Sequence, residues 1–277
     1  MATVAELINE GVSKLRSLSE TAALDVELLL AQACDKNRTW LKTWPDADVS
    51  ASQQQLFQSL LERRVSGEPI AYISGFQSFW TLDLKVTPAT LIPRQETELI
   101  VESALALVGQ EHNISVLDLG TGSGAIALAI ASERPEWNIQ ACDSSREALQ
   151  VAQDNRQTLN LNVDFKYSDW FSAFEDQHFQ LIVSNPPYIE SEDPHLGQGD
   201  LRFEPVSALV SGVDGLDDIR RIVADSKQHL IDDGLLMIEH GYNQGEAIRR
   251  IFNDQAFNHV ETLKDLSDIE RVTLGYR

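Results

Sequence analysis

Basic residues, cysteine and methionine are all scarce in this 277-residue chain. Lysine and arginine total 22 against 43 aspartates and glutamates, a formal net charge of -21. A broad grip on a nucleic acid backbone needs clustered Lys and Arg, so the balance argues against direct nucleic acid binding. Cys34 and Cys142 lie far apart and match no metal-ligand spacing. Both read as reduced core residues, and no metal is expected. No stretch approaches the roughly 18 apolar residues of a membrane helix. The longest clean run, residues 125–131, is far shorter. The first ten residues already carry acidic and polar side chains, so no secretory leader is expected. The chain is 43% hydrophobic and 23% charged, a globular composition with enough apolar side chains for a sizeable core. At about 150 residues per domain, the length points to about two domains. The expectation is a cytoplasmic, monomeric protein with no membrane association.

Apolar side chains recur at helical spacing in the first part of the chain. Val4, Leu7, Ile8, Val12 and Leu15 mark one helix, and residues 22–34 a second. Residues 50–65 mark a third, with Leu56, Phe57, Leu60 and Leu61 on one face. A small helical bundle is expected over residues 1–68. From Pro69 to Val86 aromatic and β-branched residues alternate around Gly75, which reads as a β-hairpin linker over 69–90. From residue 91 to 277 helical and strand patterns alternate. Strands are expected at 114–119, 139–142, 163–167, 179–184 and 235–239, with helices between them. That rhythm implies βαβ crossovers, and so an α/β fold with a mostly parallel sheet covered on both faces. Two last strand candidates, 259–263 and 271–275, fit an antiparallel C-terminal hairpin.

Gly120-Thr121-Gly122-Ser123-Gly124 sits where the first strand of that sheet turns into a helix. Glycines there allow positive φ and close approach of a ligand to the backbone, while free N–H groups at the helix start face it. Asp143 ends the next strand, where a carboxylate can accept from both ribose hydroxyls. Together these indicate an adenosine-containing cofactor. The spacing also satisfies a dinucleotide pattern, but Asp118 beside the loop attracts a cationic methionine amino group or sulfonium and repels a pyrophosphate. S-adenosylmethionine is therefore the favoured cofactor. After the third strand, Asp169 is placed to accept from an adenine amine and Trp170 to pack on its ring.

Ser184-Asn185-Pro186-Pro187-Tyr188 follows a strong strand. Two prolines force the chain out of the sheet and stiffen it. They leave carbonyl oxygens and the Asn185 amide oxygen as acceptors. A planar –NH2 group has two donors and fits the Asn185 side-chain oxygen and the Pro186 carbonyl, with Tyr188 on its flat face. Such a nitrogen is a poor nucleophile because its lone pair is delocalised. Two acceptors holding its hydrogens orient that lone pair at a methyl group and stabilise the positive charge that develops. The glycine loop together with this tetrapeptide resembles class I S-adenosylmethionine-dependent methyltransferases acting on planar nitrogens.

Further segments narrow the resemblance. GEPIAYI at 67–73, Phe79-Trp80, LIPRQETE at 91–98 and RFEP at 202–205 resemble the peptide chain release factor glutamine methyltransferases, the PrmC/HemK family. The likeness spans the whole chain, with Gln95 where the family usually has proline. The resemblance implies methylation of the glutamine side-chain nitrogen in the Gly-Gly-Gln motif of bacterial release factors. It implies that Gly120–Gly124 and Asp143 hold S-adenosylmethionine and that Trp170 flanks the adenine. It further implies that Asn185 to Tyr188 hold the glutamine amide, and that the helical domain helps grip the release factor. Arg94 and Glu204 are expected to orient loops around the site. The rival readings are a glutamine methyltransferase of a ribosomal protein, an RNA or DNA adenine methyltransferase, and a non-catalytic nucleotide-binding or NAD-dependent module. The last leaves Asn185 to Tyr188 unexplained.

Overall fold

The computed structural model describes residues 2–109 and 113–277. They form two compact units, one from the chain up to Phe76 with His195–Phe203, the other from Gln77–Pro194 with Glu204–Arg277.

The first unit is helical: α1 (Val4–Leu15), α2 (Ala22–Cys34), α3 (Arg38–Thr43), α4 (Ala51–Val65) and α5 (Ile70–Ser74). Thr3 and Ser50 open α1 and α4 with reciprocal side-chain caps to Glu6 and Gln53, which satisfy the first free N–H groups. Leu7, Leu15, Val26, Leu29 and Phe57 meet in its core. Leu56 does not share the buried face of α4; it is 46% exposed, and Phe57, Leu60 and Leu61 alone turn inward. Residues 70–74 are a helix, not the first arm of a hairpin. Pro69 presets its entry at φ -57°, Gly75 ends it at φ +80°, and Ala71, Tyr72 and Ile73 are buried. Over so short an apolar run, alternation does not separate strand from helix. Residues 195–203, expected within the 91–277 domain, belong instead to the helical unit. Arg64 bridges Asp25 at 2.8 Å and Asp200 at 3.3 Å, and Arg202 donates to the Ser66 carbonyl at 3.1 Å.

The hairpin is correspondingly short, β1 (Phe76–Phe79) and β2 (Leu82–Lys85). There follow α6 (Glu98–Leu107), β3 (Ser115–Leu119), α7 (Ala125–Glu133), β4 (Asn138–Asp143), α8 (Arg146–Leu159), β5 (Asp164–Tyr167) and β6 (Phe179–Ser184). After them come α9 (Asp217–His229), β7 (Leu230–Glu239), α10 (Gly245–Asp254), β8 (Asn258–Lys264) and β9 (Glu270–Tyr276). The described residues form a seven-stranded sheet in the order β5-β4-β3-β6-β7-β9-β8. Strands β5 to β7 in that order are parallel, and β9 runs antiparallel to β7 and β8. This is the α/β architecture expected, with its C-terminal antiparallel hairpin.

Side chains alternate between two cores. Leu181 and Val183 of β6 pack with α6 and α7 on one face, while Ile182 packs with α9 and α10 on the other. From β3 the sheet grows one way through β4 and β5 and the other way through β6 and β7. The crevice where strand order reverses therefore opens between the carboxyl ends of β3 and β6. Leu119 pairs with Ser184 there, and the Ser184 hydroxyl donates to the Leu119 carbonyl at 2.7 Å. The glycine loop leaves the sheet from one of these residues and the Asn-Pro-Pro-Tyr segment from the other.

Candidate active site

The glycine loop is held from β4. The N–H groups of Gly120 and Thr121 both donate to the Cys142 carbonyl at 2.9 Å. Gly120, Gly122 and Gly124 have φ of +72°, +57° and +86°, a left-handed conformation that side chains resist. Asp143 ties the loop to the next helix, accepting from Gly122 N at 2.9 Å with one oxygen and from Ser145 N at 2.8 Å with the other. Burial raises its pKa against those N–H groups. Asn155, buried on α8, donates to the Ser123 carbonyl at 2.9 Å and also accepts from and donates to the backbone of Lys85. Below the loop, Asp118 is wholly buried. One oxygen accepts from Thr121 Oγ1 at 2.6 Å, and Oδ1 has no partner among the described residues. Burial, with the Asp143 charge adding, pushes Asp118 up to about 7.

A cavity of about 240 Å3 opens over this loop. Its lining brings together Gly120, Thr121, Gly122, Ser123, Asp143, Asp169, Trp170, Asn185 and Pro187. Trp170 adopts φ +49° and lays its ring over the loop, so that a Cβ on Gly120 would come within 3.3 Å of it. Asp169 is exposed and takes a two-pronged contact from Arg221, at 2.9 Å to each oxygen. Three expected site residues are outside the lining. Gly124 sits at the start of α7, where a Cβ would lie 2.9 Å from Leu128. Pro186 is buried. Tyr188 points its hydroxyl to Glu239 at 3.5 Å, and burial beside that carboxyl pushes the phenol pKa up.

The Asn-Pro-Pro-Tyr segment is pinned along its length. Asn185 Nδ2 donates to Thr97 Oγ1 at 3.1 Å. The Tyr188 carbonyl accepts from Gln244 at 2.9 Å, and Ile189 pairs with the backbone of Leu209. Arg94, in the lining, reaches the fully buried Glu204 carboxylate at 2.6 Å, and that carboxylate also accepts from Ile92 N at 3.1 Å. The pair joins two stretches of one unit, both represented in the cavity wall.

The sequence profile of the PrmC N-terminal domain matches residues 6–75, and that of the methyltransferase small domain matches residues 97–198. The chain is 53% identical over 276 residues to the release factor glutamine methyltransferase of Pseudomonas aeruginosa, covering 99% of each chain. It is 48% identical over 269 residues to that of Escherichia coli, covering 97% of this chain and 96% of the relative. The chain belongs to the release factor glutamine methyltransferase family. Solved structures share its fold at low identity. The hMettl16 catalytic domain in complex with a MAT2A 3′UTR hairpin matches with a TM-score of 0.58 at 14% identity, over 85% of this chain and 84% of that one. A methyltransferase from Pyrococcus furiosus matches with 0.55 at 15%, over 79% and 98%.

Sequence reasoning about this methyltransferase missed Thr97, Asn155, Arg221 and Glu239. Of these, Glu239 carries the plainest signal, an acid ending an apolar strand beside the crevice. His240, just past β7, is structural. It is buried and its ring nitrogens meet Thr273 Oγ1 and the Gly241 carbonyl, each at 2.9 Å.

Proposed function

We propose that the enzyme transfers a methyl group from S-adenosylmethionine to the side-chain amide nitrogen of the glutamine in the Gly-Gly-Gln motif of peptide chain release factors. The observation that carries the proposal is the pairing of Leu119 with Ser184, which launches the glycine loop and the Asn-Pro-Pro-Tyr segment from neighbouring strand ends into one cavity. The cofactor, when bound, supplies an electrophilic methyl on a sulfonium. The residues fit it. Gly120, Thr121, Gly122 and Ser123 shape a close backbone approach, and Gly124 turns the chain into α7. Asp143 keeps lone pairs for ribose hydroxyls beyond the two N–H groups it already serves. Asp118, buried beneath the loop, adds negative potential on the side of the cationic methionine end. Trp170 covers the adenine, and Asp169, engaged by Arg221, still has acceptor capacity for its amine.

Asn185, in the cavity wall, and the backbone carbonyl of Pro186 clasp the two amide hydrogens of the glutamine, with Pro187 beside them and Tyr188 bracing the shelf from outside the lining. That geometry aims the nitrogen lone pair and stabilises the charge that develops on it, so no strong base is needed. The helical unit, residues 1–68 in its main part, helps grip the release factor. The enzyme acts in the cytoplasm as a monomer and without direct nucleic acid contact, in keeping with its charge of -21. An adenine substrate would have to leave its stack to reach the same shelf.

The test is labelled S-adenosylmethionine with intact release factor, with a release factor carrying Gln→Ala in the tripeptide, and with ribosomal protein and RNA as controls. Label confined to the intact release factor supports the proposal. Label on the Gln→Ala substrate, or on a control instead, overturns it.

A further inference from the structure

We propose that Asn155 is a positioning residue for the cofactor. From behind the cavity it fixes the Ser123–Gly124 peptide of the glycine loop against the backbone of β2, so that the loop holds its binding shape before S-adenosylmethionine arrives. The inference rests on the assignment of the glycine loop to that cofactor.

Glycines let the loop approach a ligand closely, and the same freedom opens other shapes to it. Ordering a mobile loop on binding costs affinity, so a loop fixed beforehand binds more tightly. The near end of the loop is tied to β4: Gly120 and Thr121 donate to the Cys142 carbonyl, and Gly122 donates to Asp143. At the far end Gly124 has φ +86°, and its N–H donates to the Thr121 carbonyl at 2.8 Å, within the loop itself. The tie from outside the loop is Asn155. Its Nδ2 donates to the Ser123 carbonyl at 2.9 Å, across 32 residues of chain.

The Asn155 amide is itself fixed in direction. The other Nδ2 hydrogen goes to the Lys85 carbonyl at 3.0 Å, and Oδ1 accepts from Lys85 N at 2.7 Å. Turned over, the amide would set its oxygen against two carbonyl oxygens and its –NH2 against an N–H group, so the partners admit one orientation. Lys85 is a firm anchor, because Leu84 and Val86 on either side of it are buried. Ser123 borders the cavity, whereas Asn155 and Lys85 lie outside its lining. Asn155 therefore acts through the loop and touches no ligand. Asp143 differs, since its carboxylate serves the loop and borders the cavity as well. The other buried residues of α8 are Ala148, Leu149, Val151 and Ala152, all apolar. A polar side chain at that depth is retained where its hydrogen bonds are needed.

The experiment compares wild-type enzyme with Asn155→Ala, Asn155→Asp, Lys85→Ala and Asp143→Ala. It follows S-adenosylhomocysteine affinity by calorimetry, stability by urea unfolding, and kcat and KM with intact release factor. Asn155→Ala should bind S-adenosylhomocysteine about tenfold more weakly, with a matching rise in KM for S-adenosylmethionine. Its kcat at saturating cofactor and its KM for release factor should stay within about twofold, because the bound ligand restores the loop. Asn155→Asp keeps the acceptor for Lys85 N but faces two carbonyl oxygens with a carboxylate, and should lose at least as much affinity. Lys85→Ala removes an exposed ion pair with Asp154 and keeps the backbone bonds, so its affinity should stay within about twofold. Lower stability with unchanged affinity in Asn155→Ala would mark a structural residue and overturn the inference. So would a loss of kcat without a loss of affinity, or an equal loss of affinity in Lys85→Ala. Full affinity in Asp143→Ala would instead remove the loop from the cofactor site, and the underlying assignment would fail first. Should both Asn155 variants unfold, hydrogen exchange in the wild type decides: S-adenosylhomocysteine should slow exchange of the Lys85 amide at least about threefold, and an unchanged rate would overturn the inference.

Discussion

Replacing Asp118 by asparagine should make the protein more stable at alkaline pH while weakening its hold on the cofactor. Asp118 is wholly buried, carries one unpartnered oxygen, and titrates at about 7 against 3.8 for an ordinary aspartate. A carboxyl whose pKa is raised by folding contributes its full stability below the unfolded value. That contribution fades as pH climbs through the folded value, because the fold then buries a charge that the unfolded chain solvates. Between about pH 5 and about pH 8 the loss accrues over roughly two pH units at about 1.4 kcal/mol each, close to 3 kcal/mol. Asparagine has the same shape and no charge, so this component of the pH dependence should vanish. Urea unfolding at both pH values gives the comparison directly. The Asp118→Asn stability change should be about 3 kcal/mol more favourable at pH 8 than at pH 5, a difference in which titrating groups not coupled to Asp118 cancel. In calorimetry at pH 8 the same variant should bind S-adenosylhomocysteine more weakly, by on the order of 1 kcal/mol, from the lost attraction to the ammonium. Parallel pH profiles for the two proteins would refute the reasoning about burial, and unchanged affinity would refute the role toward the cofactor.

Asp143→Ala removes the acceptor proposed for both ribose hydroxyls, and cofactor affinity should fall at least about tenfold by calorimetry; an unchanged Kd would contradict that role. Arg94→Ala leaves the buried Glu204 carboxylate without its guanidinium and should lower stability by about 3 kcal/mol, seen as an earlier urea midpoint with the same slope; an unmoved midpoint would show the pair to be dispensable.

The parts of the site that were legible in the sequence are those whose chemistry is local. Three closely spaced glycines at a strand end, an acid at the end of the next strand and a double proline after a third each have a physical reason within a few residues. The strand-helix rhythm likewise exposed the parallel sheet and its closing antiparallel pair. Residues 70–74 were illegible because a five-residue apolar helix capped by proline and glycine carries the same pattern as a strand. Leu56 looked buried because helical spacing assigns a face only to within a residue or so. The groups behind the shelf were out of reach for another reason. Thr97 lies 88 residues from Asn185, and Glu239 lies 51 from Tyr188, so only the sheet order brings them together. Arg221 meets Asp169 across 52 residues in the same way.

The most direct test of the account maps the methyl group itself. Intact release factor is incubated with S-adenosylmethionine and either wild-type enzyme or Asn185→Ala, and its peptides are sequenced by tandem mass spectrometry. The account predicts one added methyl on the glutamine side-chain nitrogen of the Gly-Gly-Gln peptide with the wild type and essentially none with the variant. A methyl on any other residue, or undiminished methylation by Asn185→Ala, would contradict it.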